Sequence, residues 1–269
     1  MGDKANVLVG VASIAIGTGY TFRRIGYTSD GVTMVVRSSF ADIKVEENEG
    51  SIIRKLTDQE VNVSLNMVEG LLDNLEAAIP GSSINVAGTI LTLGGTALQE
   101  KALTLVGKAP DATPTEERLI TLTNCNPTGE VALPYKKGEI TIVPVTFSAL
   151  VADPVPPAPS GVFGSKEDAV PALLTALTEN LAASFVPAFA TAKLDYTLAA
   201  AGGEAAVTMN ATFAGATITY YDPDNPLGDV VASGVDHIVN LAVGENVIVI
   251  KVVKATLGTR HYRIVVTRA

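Results

Sequence analysis

Three side chains in this sequence are of types that carry acid–base or thiolate chemistry: His237, His261 and Cys125. Catalysis or metal binding needs several such groups converging on one point and shifting one another's protonation. Each histidine stands in a strand-like alternation, where a surface or half-buried imidazole is the ordinary outcome. A single cysteine allows no intrachain disulfide and no zinc site of several thiolates. Neither a dinucleotide-binding glycine pattern nor a P-loop occurs, so no phosphate cradle is legible. The run Asp222-Pro223-Asp224-Asn225-Pro226-Leu227-Gly228-Asp229 has the acidic spacing of a calcium loop. Its sixth position is Leu227 and its twelfth Ser233, where a helix–loop–helix calcium site needs Gly and Glu. A solvated turn between strands is the expectation there. The chain is therefore expected to be no enzyme and to hold no cofactor and no metal.

The elements around these residues read as β. Hydrophobic residues make up 47% of the 269, enough for a sizeable core, and they are mostly Ala, Val, Ile and Leu with abundant Thr beside them. Val, Ile and Thr suit a pleated surface. The net charge is -9, with 12 Lys/Arg against 18 Asp/Glu in residues 1–153 and the remaining -3 beyond. Such a surface repels nucleic acid and offers no basic stripe to grip it. No signal peptide opens the sequence and no stretch of about 18 apolar residues could span a membrane. Synthesis in the cytoplasm is the expectation, with no membrane partner.

Four prolines fall within Pro154-Val155-Pro156-Pro157-Ala158-Pro159, which favours an extended spacer. The expected organisation is a first domain over 1–153, a linker over 154–164 and a second domain over 165–269. In the first, residues 59–66 alternate strictly, with Val61, Val63 and Leu65 inward. Met67, Val68, Leu71, Leu72, Leu75, Ala78 and Ile79 recur at helical spacing, which predicts a helix over 67–79 capped by Asn66 and ended by Pro80-Gly81. Strands are predicted over 7–16, 32–36, 41–45, 90–93, 101–106, 118–123 and 139–150. In the second domain, runs at 194–198, 205–213, 216–221, 237–241, 246–253 and 261–267 alternate or stay apolar between turns, and 173–181 is read as a first strand. That spacing predicts a β-sandwich.

The second domain resembles the cadherin-like β-sandwich family, a relative of immunoglobulin-type domains. The residues that carry the likeness are Leu174, Leu177 and Leu181, then Val186-Pro187-Ala188-Phe189, then Leu194-Asp195-Tyr196-Thr197-Leu198. Gly215-Ala216-Thr217-Ile218, Leu241-Ala242-Val243-Gly244-Glu245-Asn246-Val247-Ile248 and the closing Tyr262-Arg263-Ile264-Val265-Val266-Thr267-Arg268 follow in order. The first domain resembles a bacteriophage major tail tube protein of the long, non-contractile type. Here the likeness rests on Ala5-Asn6-Val7-Leu8-Val9-Gly10-Val11, on Ile25-Gly26-Tyr27-Thr28-Ser29-Asp30-Gly31, on a charged hairpin over 40–60 and on a last strand running from Lys136 to Leu150.

The resemblance implies a tail-tube β-barrel or sandwich with one outer α-helix, followed by the immunoglobulin-like sandwich. It implies a structural virion protein made in the host cytoplasm, whose copies close hexameric rings that stack into a tube. DNA would pass through a mostly acidic or neutral lumen without specific binding. Tape measure and tail terminator proteins would be partners, and the sandwich would project outward with few contacts back to the first domain, touching a host surface polymer. Glu46, Glu47 and Glu49 with Arg54 and Lys55 are the candidate ring-to-ring contacts, beside the plainer reading of a solvated hairpin tip. Tyr220, Tyr221, Asp222 and Asp224 are the candidate contacts of the outer domain, beside the reading that the tyrosines merely pack. Alternatives are a surface-binding or capsid-decoration protein, or the tube of a contractile injection machine.

Overall fold

The computed structural model describes residues 13–44, 51–85, 88–109, 116–133, 141–151, 162–255 and 257–269. The first unit comprises β1 (Ser13–Ile16), β2 (Arg23–Arg24), β3 (Thr28–Lys44), β4 (Ser51–Met67), helix α1 (Leu72–Ala78), β5 (Ser83–Ile84), β6 (Leu91–Thr92), β7 (Lys101–Lys108), β8 (Glu117–Thr128), β9 (Val143–Leu150) and β10 (Gly164–Ala169). The second comprises β11 (Ala176–Glu179), β12 (Asp195–Ala200), β13 (Ala206–Thr212), β14 (Thr217–Tyr221), β15 (Asp229–Ala232), β16 (Asp236–Asn240), β17 (Gly244–Lys254) and β18 (Leu257–Arg268). The architecture is mainly β, as expected, with one α-helix among the described residues.

In the first unit one sheet runs β2–β1–β7–β8–β9–β4–β3, with β10 also on β8. It does not close into a barrel, because its end strands β2 and β3 do not pair with each other. The period-two pattern of β4 dictates its buried face. Val61, Val63, Leu65 and Met67 lie opposite Ala149, Phe147, Val145 and Val143 of β9, and all eight are buried. Ile14 and Ile16 of β1, Leu103 and Leu105 of β7, and Leu75, Ala77 and Ala78 of α1 join the same core. Strands from both ends of the sheet thus share one core, so the sheet curls around it.

The helix is shorter than its apolar spacing predicts. Met67 completes β4, paired with Thr28 and Val143. Asn66 caps nothing; its amide donates to Asp30 Oδ2 at 3.3 Å. The residue preceding the helix is Leu71, which provides no side-chain cap. Strand pairing on both sides of β4 overrides a helical pattern that a lone sequence cannot distinguish from it.

The linker residues 154–161 lie outside the described residues. The expected start of the second domain at 165 falls inside β10, which pairs antiparallel with β8 from Gly164↔Leu122 to Ala169↔Glu117. A bidentate contact fastens it, with Arg118 Nε and Nη2 donating to Asp168 at 2.6 and 2.7 Å. Gly164 is required at the crossing, since a Cβ there would collide with the Thr121 carbonyl. This strand belongs to the first unit's sheet.

The second unit is a two-layer sandwich, β11–β13–β16 against β12–β18–β17–β14–β15. Its core holds Val207, Met209, Ile218, Ile248, Ile250 and Ile264 with three buried tyrosines. The tyrosine hydroxyls are satisfied inside it. Tyr196 Oη donates to the Ala190 carbonyl at 2.8 Å, and the Ala211 and Leu174 amides donate to Tyr220 Oη and Tyr262 Oη at 2.9 and 2.8 Å. The predicted first strand is present as β11, and β15 lies between the predicted strands over 216–221 and 237–241, where none was expected.

Candidate interaction surfaces

The hairpin β3–β4 is the least covered part of the first unit. Both strands are 17 residues long, and they pair from Thr28↔Met67 to Lys44↔Ser51. Only the Val61–Met67 end of β4 pairs with β9, so the rest of the hairpin runs beyond the sheet as a two-stranded ribbon. No described strand pairs the outer side of β3. The ribbon is not polar all round. Val36 is 51% exposed, Phe40 57% and Leu56 48%, with Phe40 directly opposite Leu56. A bulge between Ser39 and Phe40 sets that register. An isolated ribbon with bare apolar side chains and an open edge is marginal in water and prone to pair with another chain.

The charges on the ribbon are largely matched within it. Arg54 Nε and Nη2 donate to the two carboxylate oxygens of Asp42 at 2.7 and 3.1 Å, and Arg37 lies 3.7 Å from Glu60. The Asp42 hydrogen bond raises the already high pKa of the Arg54 guanidinium. Arg54 is thus held within its own hairpin, while Lys55 is exposed. Glu46, Glu47 and Glu49 lie outside the described residues. Among the described residues Arg54 thus has a cross-strand partner inside its own chain.

The face of β4 and β9 turned away from the core carries Asn62, Ser64 and Asn66 opposite Ser148, Thr146 and Pro144. Ser64 and Thr146 share a hydrogen bond of 2.9 Å between hydroxyls. A shallow groove of about 550 Å³ opens there, lined among others by Asp30, Ser64, Asn66, Thr128, Glu130 and Thr146, with no Lys or Arg among the described residues that line it.

Of the candidate contact residues of the sandwich, Tyr220 and Asp222 are turned inward. Tyr220 is 1% exposed, stacked on His237 at 4.4 Å between ring centroids. Burial pushes its phenol up to about 12. Asp222 is also buried, and its Oδ1 accepts from the Asp224 and Asn225 amides at 3.0 Å each, which closes the turn. His237 Nε2 lies 3.7 Å from the other Asp222 oxygen. Tyr221 packs towards the first unit, in a cluster with Ala15, Phe22, Val247 and Val249. Of the four, Asp224 alone is exposed. The period-two pattern of β14 turns Tyr220 inward, and the turn needs the Asp222 carboxylate.

The remaining chemical candidates stand apart. Cys125 is buried in the first core, and burial pushes its thiol up to about 12, so it is a poor nucleophile. His261 lies in the second unit, its imidazole pushed down to about 3 by burial and then by Lys251, Arg24 and Arg260. No cluster of three or more metal-ligating residues occurs among the described residues. No described helix is long and apolar enough to cross a membrane.

Sequence reasoning missed the seam between the units. Phe22 stacks on His261 with ring centroids 4.4 Å apart, and Arg24 reaches Asp195 Oδ2 at 2.6 Å. Arg260 pairs with Glu117. The expectation of few contacts between the units is thereby corrected. Partners more than 140 residues apart leave no local trace. No curated protein matches the chain. Residues 174–269 match the family model of the cadherin-like beta sandwich domain, and the second unit is accordingly a domain of that kind.

Proposed function

We propose that this chain is a structural subunit of a bacteriophage tail tube, which assembles with copies of itself through the β3–β4 ribbon. The observation that carries this reading is the ribbon itself, with an outer edge that no described strand pairs and with Val36, Phe40 and Leu56 bare. Pairing with neighbouring subunits would satisfy the open edge and bury those side chains in one step, and head-to-tail contacts close a ring. Because the ion pairs among the ribbon's described residues are internal, assembly would draw mainly on apolar burial and backbone pairing. Such contacts tolerate salt.

The polar face of β4 and β9 supports the conduit half of the reading. Hydroxyls and amides with the carboxylates of Asp30 and Glu130, and no Lys or Arg among the groove's described residues, suit a wall past which a polyanion slides. Hexameric stoichiometry, a tape measure partner and a tail terminator follow from the resemblance of the first unit and belong to the proposal with it. A virion tail would be the resulting location.

Negative-stain microscopy of the purified protein tests the reading. Rings or hollow filaments are expected from the parent, and dispersed subunits from Phe40→Asp. A parent that stays monomeric at high concentration would sink it, as would a Phe40→Asp protein that forms the same filaments.

A further inference from the structure

We propose that the sandwich is locked onto the first unit at one angle by a corner of chain, residues 18–26, whose two adjacent arginines grip opposite partners. Neighbouring residues in a strand point to opposite faces. In β2 this sends Arg23 one way and Arg24 the other, opposite Ile16 and Ala15 of β1 respectively. Ile16 faces the first core, whereas Ala15 faces the sandwich.

Arg23 holds the helix. It donates to Asn74 Oδ1 at 2.6 Å and to the Asp73 carbonyl. Asn74 is 2% exposed and returns a hydrogen bond to the Ile25 carbonyl at 2.8 Å, so corner and helix are tied in both directions. Arg24 holds the sandwich, through Asp195 Oδ2 at 2.6 Å and the His261 carbonyl at 3.1 Å. Between them Phe22 is 5% exposed and lies flat on the His261 ring, at 20° between planes. Gly19 has a positive φ of 55° and lets the turn pass against Tyr221; a Cβ there would sit 3.2 Å from that ring and from the Pro226 carbonyl. The loop that carries Asp222 is thus part of the seam.

A second tie lies away from this corner. The chain leaves β10 and at once bonds to the start of β18, with the Gly258 amide donating to the Val170 carbonyl at 2.7 Å and Ala172 donating to Gly258 at 2.8 Å. Two separated ties of different kinds, a side-chain corner and a backbone crossing, remove the freedom to swing that a single tether would leave. The sandwich is therefore a fixed bracket on the β1–β2 end of the first unit. This inference stands whether or not the chain builds a tube.

Paired spin labels measure it directly. Thr128→Cys on β8 and Ile238→Cys on β16 are exposed positions, one in each unit, and the buried Cys125 stays unlabelled. Labelled protein is diluted into unlabelled protein so that only distances within one chain are read. One narrow distance distribution is expected in the parent, and a distribution at least twice as broad in Phe22→Ala/Arg24→Ala. Asp195→Ala, whose side chain is half exposed, broadens it less and serves if the double variant fails to fold. A broad distribution in the parent overturns the proposal. So does an unchanged distribution in whichever of the two variants keeps the parent's circular dichroism.

Discussion

Two aspartate substitutions in the same strand should have opposite consequences, because β4 crosses from the core to the bare ribbon. Val63 is 0% exposed at the centre of the first core, opposite Phe147. Val63→Asp loses about 1.5–3 kcal/mol of apolar burial. It also places a carboxyl among apolar groups, which costs roughly another 2–4 kcal/mol even when the group takes up a proton. A domain of roughly 150 residues has about 7–20 kcal/mol to lose, so this variant forfeits a large part of its stability. Leu56, seven residues earlier in the same strand, is 48% exposed. Leu56→Asp should change stability by no more than about 0.5–1 kcal/mol, the scale of a surface change with a poorer strand former. Urea unfolding followed by circular dichroism, at concentrations where the protein is dispersed, measures both. Microscopy of the same samples after concentration measures assembly. We expect Val63→Asp to unfold at a far lower urea midpoint, and Leu56→Asp to melt like the parent yet fail to assemble. If Leu56→Asp falls as far as Val63→Asp, the ribbon is packed in the free subunit; if it assembles normally, the ribbon is not the contact. Either result refutes the reasoning.

Three further outcomes follow from the geometry. His261 has its pKa lowered from 6.5 to about 3, so its contribution is complete above pH 6.5 and is lost as pH falls towards 3, where the folded protein too must take the proton. The ceiling is about 5 kcal/mol at 1.36 kcal/mol per pH unit, and less is expected because His261 keeps part of its surface exposed; urea midpoints of the parent and of His261→Phe should diverge across that window, and parallel curves would contradict it. Tyr262→Phe leaves the buried Leu174 amide without its 2.8 Å acceptor and should cost about 1–3 kcal/mol in chemical denaturation, an unchanged midpoint being the contrary result. Cutting the chain after Asp153 removes β10 and bares one side of β8, whereas cutting after Val170 keeps it; the shorter fragment should be the less soluble and the lower melting, and equal behaviour would show that β10 adds nothing.

The alternation of Val61, Val63 and Leu65 made β4 legible, since a period of two admits one buried face. The same local logic failed two residues on. Met67, Val68 and Leu71 extend a helical spacing backwards, and only the pairing of Met67 with β9 shows that the strand still holds there. The sandwich was legible because its turns and strands follow in order; the inward turn of Tyr220 was not, because a tyrosine's polar tip reads as surface until the Ala211 amide that satisfies it is seen. The ribbon was visible as a charged hairpin over 40–60, but its length was not, as a bulge between Ser29 and Val32 interrupts the alternation of β3. The seam could not be read at all. Phe22 and His261 are 239 positions apart, and nothing in either neighbourhood specifies the other.

The position of β18 in the sandwich sets an order of events during synthesis. This strand, Leu257–Arg268, lies between β17 and β12 and pairs with the latter in parallel. Every described contact of the five-stranded layer with its β12 edge passes through it, and it also supplies His261 and Arg260 to the seam. The sandwich therefore cannot close until residue 268 has emerged, while the first unit has all its described strands once residue 169 is out. At about 5–20 residues per second, the roughly 100 intervening residues take about 5–20 s. For that interval a nascent chain would carry the strands of the first unit with the bare side chains of its ribbon and an uncovered Phe22. Neighbouring ribosomes on one message would hold such units close together, so the time to the last strand sets how long premature association must be resisted.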